Sequence, residues 1–216
     1  MPANPLEPPR TLLIILLMTM INEKQTFNLR YSILYFFQCF LFKNEPSKTQ
    51  VIETLLTSST PSSNAGVNQI NIGQILCSGL FNQHDFISNW LCACALTHTI
   101  NENNALKEQL LRVRLAINTN DETDTDNDID NKEVKELIRA ISLMQQCMQI
   151  LILNDLNNNR ENSKKPKSKQ NVRTTKTKIK FETQVSFLMF LATWLASCPL
   201  AVGQFLAYQE NVSYVS

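Results

Sequence analysis

The chain has 216 residues, 44% of them hydrophobic, and a formal net charge of +1. The hydrophobic content excludes a wholly disordered protein, and the near-neutral charge argues against a dedicated nucleic-acid binder, which would carry a basic face. Only four glycines are present, and neither Asn-Gly nor Asp-Gly occurs as a hairpin signal. The composition therefore predicts an all-α protein.

The first apolar run, 12–21 (LLIILLMTMI), has the length of a signal-peptide core. The residues before it, MPANPLEPPR, include four prolines and make a poor n-region, and no cleavage site follows. A helix buried between neighbours is the better interpretation. The next run, from Leu29 to Phe42, predicts an amphipathic helix whose stripe comprises Leu29, Ile33, Phe36, Phe37 and Phe40.

Helical periodicity continues along the chain in three further runs. The apolar positions of these runs are, in order, Trp90, Leu91, Cys94 and Ala95; Leu106, Leu110, Val113 and Ile117; and Val134, Leu137, Ile138, Ile141, Met144 and Met148. The pattern predicts about eight or nine short helices joined in series. Helices of this kind favour an armadillo/HEAT-like α-solenoid fragment over an isolated bundle.

Two polar stretches, 118–131 and 154–182, interrupt this pattern. Neither contains enough apolar surface to offset the entropy of ordering, so both are predicted to be disordered insertions.

The first insertion resembles a calcium loop, because Asp124, Asp126, Asp128 and Asp130 alternate like the ligands of an EF-hand. Ile129 stands where the loop needs glycine, and Lys135 stands where it needs a bidentate glutamate. A solvated acidic loop is therefore the prediction.

The second insertion contains KKPK at 164–167, which resembles a minimal nuclear-localisation pattern but is also common in linkers. Cys94 and His98 are spaced to meet on one helical face as a thiol–imidazole pair, although core packing is the favoured interpretation. The six cysteines lie in apolar helical runs, which predicts reduced core thiols. Cys92 and Cys94 lack zinc-knuckle spacing. We therefore assign no catalytic, cofactor-binding or metal-binding residue, predict no cofactor, and predict that the protein is not an enzyme.

The residues from Thr183 to Gln209 carry no charge, and 187–206 (FLMFLATWLASCPLAVGQFL) has the length of a membrane span. Pro199 lies within this run, and proline favours the first turn of a new helix over the middle of a long one. Two packed helices and one membrane span both fit the composition.

Several blocks of sequence, taken together and in this order, resemble the general vesicular transport factor family of Golgi vesicle-tethering proteins. The blocks are 12–45, 73–81, 88–116, 143–151 and 187–206. The resemblance covers most of the chain outside the two insertions. It implies that residues 1–216 form a partial domain, the later part of an armadillo-like globular head, and that 187–206 is a pair of solenoid helices.

The resemblance further implies a non-enzymatic tethering scaffold in transport from the endoplasmic reticulum to the Golgi and within the Golgi. Implied partners are Rab-type small GTPases, SNARE proteins and other Golgi tethers, with a cytoplasmic location, peripheral on Golgi and vesicle membranes. A homodimer is expected only for a longer chain with a coiled coil. The alternatives are a single-pass membrane protein anchored through 187–206 and an armadillo-type nuclear adaptor that uses KKPK. We also expect the chain to be a fragment, because earlier repeats and a coiled coil are missing.

Overall fold

The computed structural model describes residues 11–57, 71–82, 84–117, 139–151 and 170–213. These residues form nine helices and a two-stranded antiparallel sheet. The elements in chain order are α1 (Leu12–Met20), α2 (Phe27–Leu41), α3 (Glu45–Thr57), α4 (Ile72–Leu80), α5 (Phe86–Ile100), α6 (Asn104–Leu110), β1 (Arg114–Ile117), β2 (Arg139–Ser142), α7 (143–151), α8 (Gln170–Leu195) and α9 (Pro199–Ser213). The predominance of helices in series confirms the predicted all-α solenoid fragment.

Polar residues set the starts of the short central helices. Asn71 and Gln74 form a capping box at the start of α4, in which each side chain accepts a hydrogen bond from the other residue's backbone N–H. Asp85 caps α5 through Ile87 N at 3.1 Å, and Asn103 caps α6 through Leu106 N at 3.0 Å. Each cap satisfies a backbone donor that the helix leaves unpaired, so these asparagine and aspartate residues separate one helix from the next.

Helix α5 lies at the centre of the array, where it packs against α2, α4 and α8. The helix before it, α4, also contacts α1 and α3, and Gly73 of α4 lies directly against the backbone of α3. A Cβ atom on Gly73 would lie 2.5 Å from the Thr54 backbone, so only glycine lets α3 and α4 come this close. One continuous core, which includes the fully buried Phe37, Leu96 and Trp194, joins the layers.

The two strands are the main departure from the sequence prediction, which continued helix α6 to residue 117. The helix ends at Leu110, and 114–117 pair with 139–142 in the register Arg114↔Ser142 to Ile117↔Arg139. No hairpin signature in the sequence predicts this pairing, because the strands are separated in sequence by residues 118–138 and not by a two-residue turn motif. The interpretation of Ile117 and Ile141 as helix positions was therefore wrong.

The two predicted insertions differ in outcome. Residues 118–131, which include the four alternating aspartates, lie outside the described residues, as do 154–169. The prediction of disorder is wrong for 170–182, where α8 has already begun. Helix formation is cooperative, so a segment too polar to fold alone can extend a helix whose later turns are packed. Those turns bury Phe187, Phe190 and Trp194.

The long uncharged run consists of two helices, as the position of Pro199 indicated. Helix α8 ends at Leu195, and Pro199 is the first residue of α9. Helix α8 has 26 residues and begins well before the uncharged run. Within the described ranges, no helix combines the length and the hydropathy that a bilayer crossing needs.

Candidate protein-interaction surface

Helix α2 is oriented differently from the stripe that its sequence predicts. Its buried side chains are Arg30, Ile33, Leu34, Phe37 and Leu41. The predicted positions Leu29, Phe36 and Phe40 were wrong, because all three are exposed. The prediction failed because arginine side chains are normally exposed to solvent, whereas Arg30 is only 2% exposed. Arg30 therefore lies on the buried side of α2.

Arg30 is held by a network that joins three helices. Its Nε donates to the Met20 carbonyl at the end of α1 at 2.7 Å. Its NH2 group donates to Asp85 Oδ2 at 2.6 Å and to Ser88 Oγ at 2.7 Å, at the start of α5. The Ser88 hydroxyl can in turn donate to Asp85 Oδ2 (2.6 Å) or to the Ile21 carbonyl (3.1 Å). Buried charges are tolerated when they are paired and hydrogen-bonded, and these contacts fix the rotation of α2 about its axis.

The ionisation of Asp85 follows from the same network. Burial acts to raise the pKa of this carboxyl, but hydrogen bonds from Ser88 and Arg30 and the charge of Arg30 outweigh burial and hold the pKa below its ordinary value. Asp85 therefore remains a carboxylate at neutral pH and keeps the buried guanidinium paired.

With Arg30 turned inward, the opposite side of α2 presents large apolar residues to solvent. We call this side, together with Phe42 just beyond the helix, the outer face of α2. Tyr35 is 63% exposed and Phe42 64% exposed. The full set of large exposed side chains on the outer face is Phe27, Leu29, Tyr31, Tyr35, Phe36, Phe40 and Phe42.

Three aromatic rings cluster at one edge of the outer face. Phe27 and Tyr31, one helical turn apart on α2, lie next to Trp90 of α5. Each pair of ring centroids is 6.0 Å apart, and the planes differ by 7° to 23°. Trp90 is half-buried and Tyr31 is 49% exposed, so the rings stabilise each other yet remain accessible. The cluster makes this edge a rigid apolar platform.

The outer face is also free of charge. Arg30 is the one charged residue of α2, and it is buried. At the C-terminal end, the Lys43 ammonium lies 5.4 Å from the centroid of the Phe42 ring. Aromatic enrichment and loss of charge mark the centres of protein–protein interfaces, and contiguous exposed apolar surface on a soluble protein points to binding. The arrangement is suited to contact with another protein surface and contains no group placed for covalent chemistry.

The site features considered in the sequence fall mostly elsewhere. The EF-hand-like aspartates and KKPK at 164–167 lie outside the described residues. Cys94 and His98 are both half-buried, and burial raises the pKa of the Cys94 thiol to about 11. His98 Nε2 is buried and has no hydrogen-bond partner among the described residues, so it does not bond to Cys94. Burial lowers the pKa of His98, and a hydrogen bond with the Gln38 backbone offsets this only in part.

Three of the remaining cysteines also have raised pKa values, and one of the remaining five is exposed. Burial raises the pKa of Cys77 to about 12 and raises the pKa values of Cys92 and Cys147 further. All six thiols are free, and Cys39, on the outer face of α2, is the exposed one. Within the described residues, no group of three His, Cys, Asp or Glu side chains is placed to hold a metal ion.

The sequence analysis predicted neither the buried network around Arg30 nor the aromatic cluster that includes Trp90. One signal in the sequence could have pointed to the network. Arg30 is the only charged residue in the fifteen-residue, largely apolar helix α2, and a lone charge in such a helix is either exposed to solvent or buried with a partner. No comparable signal places Trp90 beside Phe27, since the two residues belong to helices far apart in sequence.

Comparison with known proteins gives a consistent result. The sequence model of one family, described as "Uso1 / p115 like vesicle tethering protein, head region", matches residues 2–216. The chain is 39% identical over 212 residues to the general vesicular transport factor p115 of Homo sapiens. The proteins of the same name from Bos taurus and Rattus norvegicus match equally. Each match covers 98% of this chain and 17% of the relative, so the chain spans about a sixth of the length of these relatives.

Proposed function

Because the chain belongs to the Uso1/p115-like vesicle-tethering family, in its head region, we propose that it acts as a non-enzymatic scaffold in vesicle tethering. The observation that carries this proposal is the match of the head-region model to residues 2–216. Relatives that share 39% identity with nearly the whole chain are named as general vesicular transport factors. The whole chain then forms one partial armadillo-like head domain.

The structure supports a scaffold by the kind of surface that it offers. An α-solenoid presents a long row of helices on which a partner can bind without any chemical step. The outer face of α2 adds a large uncharged apolar surface, which a soluble protein exposes chiefly for binding. The proposal is that the chain contributes to tethering through protein contacts.

We propose Rab-type small GTPases, SNARE proteins and other Golgi tethers as the partner classes. The proposed location is the cytoplasm, with peripheral attachment to Golgi and vesicle membranes. A peripheral protein is held by partners or lipid headgroups, so alkaline carbonate should release it from membranes.

The first experiment tests partner and location together. The purified chain is immobilised and presented with Rab-type GTPases of the early secretory route, each loaded with a GTP analogue or with GDP. We expect retention of at least one GTPase in the GTP-analogue state and weak retention in the GDP state. A tagged chain expressed in cells should co-localise with a Golgi marker and be released by carbonate.

The control is an armadillo array of similar size and unrelated function, carrying the same tag. Retention that is equal for the two arrays, together with a diffuse distribution of the tagged chain, would contradict the tethering proposal. Resistance to carbonate would instead indicate an integral membrane protein.

A further inference from the structure

We propose that a cleft between the α5–α6 turn and the C-terminal end of α8 binds a peptide segment of a partner protein through one acidic side chain, whose carboxylate contacts Lys107. The cleft has a volume of about 600 Å³, within the usual range of ligand sites. We call it the Lys107 cleft. The inference does not depend on the tethering function. The polar residues that line the cleft are Asn101, Glu102, Asn104, Lys107, Thr193 and Ser197.

Hydrogen bonds between α6 and the end of α8 hold the two walls of the Lys107 cleft together. Lys107 Nζ donates to the Ala196 carbonyl at 2.6 Å, and Trp194 Nε1 donates to the Lys107 carbonyl at 2.8 Å. Glu102 and Ser197, which follow the ends of α5 and α8, are held in the left-handed backbone conformation at φ 59° and 57°. Residues other than glycine keep this conformation only where the surrounding structure determines it. The cleft is therefore preformed, and a ligand need not order its walls.

Lys107 forms the floor of the cleft and supplies its positive charge. The residue is only 4% exposed, yet it lines the cleft. A lysine ammonium has three N–H donors, and among the described residues the Ala196 carbonyl is the one acceptor bonded to Lys107 Nζ. Buried charges are normally both paired and hydrogen-bonded, so the other two donors need an acceptor in the cleft. A carboxylate is the strongest such acceptor that a protein partner carries.

The residues around Lys107 suit a peptide that carries a single negative charge. The carboxamides of Asn101 and Asn104 both donate and accept hydrogen bonds, as a peptide group does, and the hydroxyls of Thr193 and Ser197 can do the same. Glu102 is exposed and lines the same cleft, where it repels additional negative charge. A phosphate group, which carries up to two charges, is therefore disfavoured relative to an aspartate or glutamate side chain.

NMR titration of the purified 216-residue chain, observed through backbone amides, tests the proposal. The probes are the peptide acetyl-Ala-Ala-Asp-Ala-Ala-amide, the same peptide with asparagine in place of aspartate, and inorganic phosphate. We expect shifts at the amides of the α5–α6 turn and the end of α8, with the aspartate peptide binding about fivefold more tightly than the asparagine peptide. Equal affinity for the two peptides, tighter binding of phosphate, or no shifts in the cleft would each overturn the proposal.

A filled cleft gives a test that leaves Lys107 in place. Ala192 lines the cleft and is exposed, so Ala192→Trp should occupy the cleft without disturbing the core, and binding of the aspartate peptide should be lost. Ala207→Trp is the matched control, because Ala207 is an exposed alanine of α9 outside the cleft. This variant should bind the peptide as wild type does. If Ala192→Trp, with unchanged circular dichroism, still binds the peptide, the site lies elsewhere and the proposal is wrong.

Two charge variants should change the affinity in opposite directions. Lys107→Met should make the affinities for the aspartate and asparagine peptides equal, because the cation that distinguishes them is gone. Glu102→Gln should tighten binding of the aspartate peptide by about twofold, since it removes a repulsive charge. Glu102 is exposed, so this second variant tests the electrostatics even if Lys107→Met does not fold. Weaker binding by Glu102→Gln, or a preference for aspartate that persists in folded Lys107→Met, would contradict the proposed contact.

Discussion

Arg30 and Lys107 are both almost completely buried, but the molecule satisfies the two cations in different ways. Arg30, between α1, α2 and α5, has a carboxylate partner, a hydroxyl partner and a carbonyl partner. Lys107, in α6, donates its Nζ to the Ala196 carbonyl just beyond α8 at 2.6 Å. Trp194 returns a hydrogen bond from Nε1 to the Lys107 carbonyl at 2.8 Å. One anchor is an ion pair, and the other is a charge placed at a helix C-terminus.

The difference teaches that two regions of the molecule depend on different chemical groups for their stability. The Arg30 anchor needs Asp85 to stay ionised, and so it depends on pH. The Lys107 anchor uses a backbone carbonyl, which does not titrate, together with the partial negative charge at the end of α8. The first region should therefore be sensitive to acid and to loss of a single carboxylate, whereas the second should be sensitive only to loss of the lysine.

The largest effect is expected from Asp85→Ala. The variant leaves the Arg30 guanidinium buried without its anion and also removes the cap of α5, so the free energy of unfolding should fall by about 3–5 kcal/mol. Urea unfolding followed by circular dichroism measures the change. Glu53→Ala, on the exposed side of α3, is the matched control and should change the free energy by less than about 0.5 kcal/mol. Equal effects would show that the ion pair contributes nothing specific.

Lys107→Met should have a smaller effect, about 1–3 kcal/mol, because it removes the buried cation together with its hydrogen bond and leaves one carbonyl unpaired. The same urea titration measures it. Lys43→Met makes the same lysine-to-methionine replacement at an exposed position and should change the free energy of unfolding very little. A loss from Lys107→Met as large as that from Asp85→Ala would contradict the distinction between the two anchors.

Acid should weaken the Arg30 anchor and leave the Lys107 anchor intact. The folded pKa of Asp85 lies below the unfolded value of about 3.9, so its contribution to stability is present above that value and is lost as pH falls through the folded pKa. Urea unfolding at pH 7 and at pH 3 should show a smaller loss of stability for Asp85→Asn than for wild type. Lys107→Met should show the wild-type loss. If the pH dependence of Asp85→Asn equals that of wild type, Asp85 is not the titrating group.

The smallest effect is expected from Ser88→Ala, about 1 kcal/mol, because Arg30 and Asp85 keep their direct contact. Thermal unfolding would resolve the difference from wild type. Ser32→Ala is the control, since Ser32 is exposed and its hydroxyl donates to the Asn28 carbonyl of its own helix. A loss from Ser88→Ala that approached the loss from Asp85→Ala would indicate that the hydroxyl, and not the ion pair, holds α2 in place.

Local sequence signals predicted the helices well and their orientation poorly. The prolines, asparagines and apolar periodicity placed most helices, including the boundary at Pro199. The rotation of α2 could not be predicted in the same way, because it depends on Arg30 meeting Asp85 and Ser88, which are far away in sequence. The start of α8 was also missed, since its first residues are helical through continuity with a packed segment and not through their own apolar pattern.

The candidate surface was predictable only in outline. The resemblance to a tethering family implied a binding scaffold, and the family match is consistent with that implication. No position of the surface was assigned from sequence, because a stripe of aromatic residues on a helix is normally its buried side. On α2 the two sides are both apolar, and a tertiary ion pair decides which one is buried.

The strand pair between α6 and α7 joins parts of the chain that are far apart in sequence. Four residues of β1 pair with four of β2, Leu143 N extends the ladder to the Val113 carbonyl at 3.2 Å, and Tyr208 of α9 bonds to Ser142 at 3.0 Å. Because β1 follows α6 and β2 leads directly into α7, the ladder fixes the position of one helix relative to the other. The bond from Tyr208 extends this connection to the last helix, so three helices are coupled through one short sheet.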